Sequence, residues 1–277
     1  MNLQAALQAG ILLQWAYDVY NNPATPNYDG MSYGGFNVLQ TVYTNDLATD
    51  ISPVIDPTKM VSIGFVAQCA ASPDEYVIVI RGTEGILEWV QDAKFLPKPF
   101  SAVQGAGLTE DGFTDMYDSF RVSPNPNSAR LTPALVGLLG APNPNTKLTI
   151  CGHSLGSALA TLLALDVVVN TPYKQPSLIT FASPRVGDPH FANFFNAAVP
   201  DCDRIANQKD VVTHLPLPPL YIHVGDETVL NPKNTVADNL LCQHHMDTYM
   251  FLLDPATYKL DSDCVPPNAP TAPQKIG

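Results

Sequence analysis

The chain has 277 residues, 45 % of them hydrophobic and only 14 % charged, with 26 prolines. That is ample apolar material for a large core, in a length that one domain with insertions fills, so residues 1–277 are read as a single domain. A net charge of −12 and a pI near 4.6 argue against nucleic acid or an anionic membrane as partner and leave neutral or apolar substrates as the default.

At the N-terminal end, Leu7, Ile11, Trp15 and Val19 recur at four-residue steps, which predicts an amphipathic helix over residues 1–20 packed on the domain. The first basic residue is Lys59, so no cationic n-region of a signal peptide is present, and no apolar run is long enough for a transmembrane segment. Secretion, with any signal absent from this sequence, is the expected location; the cytoplasm is the alternative. Strands are expected over residues 36–43 and 61–69, in an antiparallel part of a sheet, and over 76–81, a buried run followed by Gly82. Just beyond, Ile86, Leu87, Trp89 and Val90 fall at helical spacing within an apolar segment, residues 84–100. Helices are predicted over 112–120 and 129–139, separated by a Ser/Pro/Asn loop at 123–128.

The apolar run Leu148-Thr149-Ile150-Cys151 then leads into Gly152-His153-Ser154-Leu155-Gly156 and an Ala/Leu-rich stretch over 157–169. This is G-x-S-x-G between a strand and a helix, the setting of a nucleophile elbow. The turn is so tight that residues without a side chain are needed where strand and helix approach, at Gly152 and Gly156. The helix that follows aims its positive end at the serine, and the N–H of Leu155 is available to a developing oxyanion. His153 is read here as the variable position of the motif. A strand at 178–181, a helix at 190–198 and a strand at 203–206 come next, and a Pro-rich loop at 215–220 leads into Tyr221-Ile222-His223-Val224. The last helix is expected over 242–253, with a Pro-rich surface tail over 262–277.

A serine hydroxyl needs a histidine to take its proton and a carboxylate to hold the imidazole, and on this kind of scaffold the chain order is serine, acid, histidine. Asp210 follows a strand end, with Asp203 as the next candidate, and His244 and His245 both lie C-terminal to it. The five cysteines are too few and scattered for a disulfide framework. Cys151 is read as a buried thiol, and one pair among Cys69, Cys202, Cys242 and Cys264 is allowed. No Cys/His ligand spacing suggests a metal, and no cofactor is expected.

Several blocks together resemble the class 3 lipases, the family of filamentous-fungal triacylglycerol lipases and their bacterial and plant relatives. They are Arg81-Gly82-Thr83 with Trp89 and Asp92, the elbow through Ala160, Phe181 to Asp188, Asn207 to Pro216, His223 with Glu227, and His244 to Tyr249. The resemblance implies an α/β-hydrolase fold, a central mostly parallel sheet with flanking helices and a lid segment over 84–100. It implies Ser154 as nucleophile, Asp210 as orienting acid and His244 as base when Tyr249 is aligned, with His245 the alternative. It implies Thr83 as an oxyanion donor beside Leu155, and Ile86, Leu87 and Trp89 as lid residues; an ordinary core-packed helix is the alternative for that segment. One departure from the family pattern is Glu110-Asp111, where a histidine often precedes Gly-Phe. The implied activity is hydrolysis of acylglycerol esters, with transient contact at a lipid–water interface. An esterase for small soluble or feruloyl-type esters is the runner-up, and a non-catalytic hydrolase-fold binding protein is disfavoured because every triad position is filled.

Overall fold

The computed structural model describes residues 1–25, 27–45, 59–83 and 95–267. Its frame is one sheet in the order β1-β2-β3-β4-β7-β8-β9-β10. The antiparallel end comprises β1 (Ser32–Tyr33), β2 (Phe36–Asn45), β3 (Met60–Cys69) and β4 (Glu75–Ile80). From β4 onward the ladder is parallel, through β7 (Lys147–His153), β8 (Ser177–Phe181), β9 (Cys202–Asn207) and β10 (Asp226–Leu230). The remaining strands, β5 (Pro97–Pro99) and β6 (Leu108–Glu110), form a separate antiparallel pair.

Both faces of the sheet are covered, which is why its central strands are continuous apolar runs. Along β4 the side chains alternate: Ile78 and Ile80 enter one core, Val77 and Val79 the other. The first core is roofed by α2 (Asp111–Asp118), α3 (Leu131–Leu139), α4 (Leu155–Asn170) and α5 (Pro189–Ala198). The second lies beneath α1 (Leu3–Asn21) and the helix α7 (Met246–Leu253), which follows the short α6 (Leu240–His244). This is the α/β-hydrolase arrangement, and the ends of β4, β7 and β9 deliver the site residues at one edge, where doubly covered parallel sheets present their ligands.

Three local expectations need correction. In α1 the buried side is Ala6, Ala9, Leu12, Leu13, Ala16 and the predicted Val19, whereas Leu7, Ile11 and Trp15 are only partly buried. Small residues win that face because α7 comes so close: a Cβ at Gly10 would lie 2.1 Å from Met250 Sδ. The helix expected over 242–253 breaks at His245, which adopts φ −60°, ψ 140°. The tail does not begin at 262: Cys264 is buried and disulfide-bonded to Cys242.

The proposed lid residues Ile86, Leu87 and Trp89 lie outside the described residues. The end of that segment is described, and it is not helical: Pro97–Pro99 is a strand, and Phe100 is buried in the first core. Glu110, at the departure from the family pattern, caps α2 by accepting the Phe113 N–H at 2.8 Å.

Candidate active site

Ser154 sits between β7 and α4 with φ 58°, ψ −130°, a left-handed conformation costly for a residue with a Cβ. Its surroundings hold it there. The Ser154 N–H donates to the Phe181 carbonyl at 2.9 Å, and the Ser157 hydroxyl donates to the same oxygen at 2.7 Å. The flanking glycines are sterically required. A Cβ on Gly156 would lie 2.3 Å from the Ile80 oxygen and 2.4 Å from the Arg81 oxygen, and one on Gly152 would lie 2.3 Å from the Gly156 oxygen. The strand-to-helix crossing therefore closes only without side chains, and the strain is concentrated on the serine.

The structure brings Ser154, His244 and Asp210 together. His244 Nε2 lies 2.7 Å from Ser154 Oγ, and His244 Nδ1 lies 2.8 Å from Asp210 Oδ2. Asp210 is fully buried, and its carboxylate also accepts the Tyr249 hydroxyl at 2.8 Å and the Val212 N–H at 3.0 Å. Those bonds fix the carboxylate and direct one oxygen at the imidazole. With Nδ1–H donated to Asp210, Nε2 is left to accept the serine proton. His245 is not part of this cluster. Its side chain is 55 % exposed and pairs with Asp247 at 3.5 Å. Asp203 lies on β9 and takes no part in the hydrogen bonds of His244.

The turn carrying His244 is secured on several sides. Asn207, at the end of β9, donates through Nδ2 to the Gln243 carbonyl and side-chain oxygen at 2.7 and 2.8 Å. The Thr248 hydroxyl donates to the Cys242 carbonyl at 2.6 Å. Cys242, two residues before His244, is covalently tied to Cys264. Tyr249 joins Asp210 to the sheet: its hydroxyl accepts the Asn207 N–H at 3.0 Å while donating to Asp210. Burial, and then the Asp210 charge, hold that phenol well above its ordinary pKa, so it remains a donor.

Thr83 is buried beyond the end of β4, on a strand terminus pressed against the elbow. At Gly82, a Cβ would come within 2.9 Å of Ser154 Cβ. Arg81 braces this loop from behind: Nη1 donates to the Gly82 carbonyl at 2.6 Å and Nη2 to the Ser62 carbonyl at 2.8 Å. Its guanidinium lies 3.3 Å from the Tyr20 ring centroid. Leu155 opens α4, where the helix dipole and unsatisfied N–H groups favour negative charge. A cavity of about 280 Å³ borders Thr83 and His244, with a polar wall that includes Tyr17, Asp18, His245 and Asp247.

Two contributors escaped the sequence reading. Tyr17 and His153 meet at 2.8 Å behind the site, and the other His153 nitrogen reaches the His244 carbonyl. Their sequence signal was thin, since the middle positions of G-x-S-x-G accept many residues and Tyr17 is far away in the chain. His223 has a structural partner instead, donating to the Thr213 carbonyl at 2.8 Å. Burial and the nearby Arg204 pull its pKa down to about 3. Among the described residues, no group of His, Cys, Asp or Glu could hold a metal ion. No described helix is long and apolar enough to cross a membrane.

Comparison with known proteins gives concordant results. Residues 77–219 match the family Lipase (class 3). A lipase from Rhizomucor miehei is 34 % identical over 154 residues, 54 % of this chain and 40 % of that protein. The chain thus spans less than half the length of that relative. Phospholipase A1-II 7 of Oryza sativa subsp. indica is 34 % identical over 277 residues, 79 % of this chain and 68 % of its own length. Among solved structures, the lipase of Rhizopus microsporus var. chinensis matches with a TM-score of 0.62 at 22 % identity, over 82 % of this chain and 74 % of that one. That likeness establishes a shared fold.

Proposed function

The chain belongs to the class 3 lipase family, and from that premise we propose that it hydrolyses acylglycerol esters through an acyl-enzyme on Ser154. The observation that carries this reading is the unbroken hydrogen-bond path from Ser154 through His244 to Asp210. In the proposed reaction, Ser154 Oγ attacks the ester carbonyl as His244 Nε2 takes its proton. The buried Asp210 carboxylate stabilises the imidazolium, and the Leu155 N–H with the Thr83 N–H and hydroxyl receive the oxyanion. Collapse returns the proton from Nε2 to the leaving alkoxide. Water then attacks the acyl-enzyme, with His244 again as base, and Ser154 is released.

The alcohol must depart on the imidazole side, since that is where its proton comes from. The cavity bordering His244 mixes apolar walls from Leu241 and Met246 with Asp18 and Asp247, which can accept from the hydroxyls of a glycerol leaving group. From sequence resemblance alone, Ile86, Leu87 and Trp89 are proposed to meet the acyl chain or the lipid surface. The whole chain is proposed to act as one domain, because Ser154 and Asp210 follow strands of one sheet and His244, on α6, is hydrogen-bonded to both. Secretion is proposed on the strength of the Cys242–Cys264 disulfide, which persists in oxidising compartments.

A series of p-nitrophenyl esters from acetate to palmitate, run beside emulsified triglyceride, tests the substrate class. The proposal expects long-chain preference and a rise in rate above the solubility limit. Preference for acetate with no such rise would assign the protein to small soluble esters instead.

A further inference from the structure

The geometry points to His153 as a positioning residue: its ring ties the oxyanion loop, through Tyr17, to the backbone of the residue that carries the catalytic base. This inference rests on the proposed roles of Ser154 and His244.

The proton arrangement follows from the partners. His153 Nε2 lies 3.0 Å from the His244 carbonyl oxygen, which can only accept, so Nε2 carries the hydrogen. Nδ1 is then an acceptor, and it lies 2.8 Å from the Tyr17 hydroxyl, which must donate to it. A lone pair on the same hydroxyl accepts the Gly82 N–H at 2.8 Å. The donors therefore run in one consistent series, from Gly82 to Tyr17 to His153, and from His153 to His244. This series belongs to the neutral ring, because an imidazolium would instead present a second N–H to the tyrosine oxygen. Burial, and then the neighbouring His244, depress the His153 pKa well below its ordinary value, so the ring keeps this form while His244 gains and loses its proton.

Each end of the series holds a part of the reaction machinery. Gly82 precedes Thr83, the proposed oxyanion donor. The His244 carbonyl closes the short helix α6, where the chain turns at His245 and leaves that oxygen without its own helical partner. Holding it fixes the Cα from which the catalytic imidazole hangs. The His153 and His244 ring centroids are 5.0 Å apart, so a shift of the first ring is transmitted directly to the second. His153 does not itself touch Ser154 Oγ, because both of its nitrogens are committed elsewhere.

A purely structural histidine would merely satisfy two buried polar groups, and the test separates the two roles. Active sites are counted with a fluorophosphonate, and turnover of p-nitrophenyl butyrate is expressed per labelled site for His153→Leu, His153→Gln, Tyr17→Phe and the Leu/Phe double variant. His153→Leu should lower kcat per site about 10- to 100-fold, since a displacement of about 1 Å costs that much, with KM nearly unchanged. His153→Gln, which keeps a donor for the His244 carbonyl, should recover most of that loss. Tyr17→Phe should lower kcat per site by a smaller factor, and adding it to His153→Leu should cost little more. The inference is overturned if kcat per site in His153→Leu equals that of the parent, or if Gln rescues no better than Leu. Should His153→Leu fail to fold, an unchanged kcat per site in Tyr17→Phe overturns it equally. Failure of the parent protein to label at Ser154 would instead strike the proposed function, a distinct result.

Discussion

Replacing Asp210 by Asn tests the electrostatic half of the site most cleanly, because it retains shape and removes charge. The carboxylate oxygen facing His244 also accepts the Tyr249 hydroxyl, while the other oxygen accepts the Val212 N–H. An amide can satisfy Tyr249 and His244 together only through its oxygen, leaving its NH₂ against the Val212 N–H. Flipped, it donates to Nδ1, moves the imidazole hydrogen to Nε2 and removes the base from Ser154. The charge itself has a calculable worth. At an effective dielectric of about 20, unit charges about 4 Å apart attract by about 4 kcal/mol. That corresponds to about a thousandfold in rate. Adding the wrong tautomer brings the expected loss in kcat to about 10⁴. The assay is single-site turnover of p-nitrophenyl butyrate, with circular dichroism and thermal unfolding to show that the variant is folded. A folded Asp210→Asn enzyme within tenfold of the parent would refute the reasoning and require another carboxylate to orient His244.

Gly156→Ala must push its Cβ into the Ile80 and Arg81 carbonyls, so it should lose several kcal/mol of stability, read by urea unfolding; a change under about 0.5 kcal/mol would contradict the close crossing. Cys264→Ser opens a loop with a sequence separation of 22, and chain entropy puts the loss near about 3 kcal/mol. Because Cys242 lies beside the turn that carries His244, kcat should fall as well; a destabilised variant with full kcat would show that the disulfide serves stability alone. His223 is neutral in the folded state, with a pKa pulled down to about 3 from an ordinary 6.5. Below pH 6.5 the unfolded chain takes up a proton that the folded chain refuses. Stability from this site is therefore full above pH 6.5 and is lost as the pH falls toward 3, at up to about 1.4 kcal/mol per pH unit. His223→Gln should flatten the acid slope of Tm by about one proton, and parallel slopes in parent and variant would contradict this.

The parts of the site legible in the sequence were those whose constraint is local. The elbow needs glycine at Gly152 and Gly156 whatever else the fold does, and a strand before it and a helix after it follow from the apolar runs. Asp210 was legible because a strand end precedes it. The distinction between His244 and His245 was not local. The segment reads as one helix, and its break at His245 comes from distant anchors on Asn207, Asp210 and Cys264. His153 was unreadable for the same reason: Tyr17 and His244 stand 136 and 91 residues away from it. The strand Asp226–Leu230 was missed because it is a sheet edge with mostly exposed side chains, which carries no apolar alternation to detect.

The central claim is that Ser154, activated by His244, is the nucleophile. Its most direct test is fluorophosphonate labelling followed by peptide mapping, on the parent protein and on Ser154→Ala, His244→Ala and His245→Ala. The account predicts one adduct, on Ser154, absent in Ser154→Ala, formed far more slowly in His244→Ala and formed at nearly the parent rate in His245→Ala. A stoichiometric adduct on another residue, or slow labelling in His245→Ala with normal labelling in His244→Ala, would contradict it.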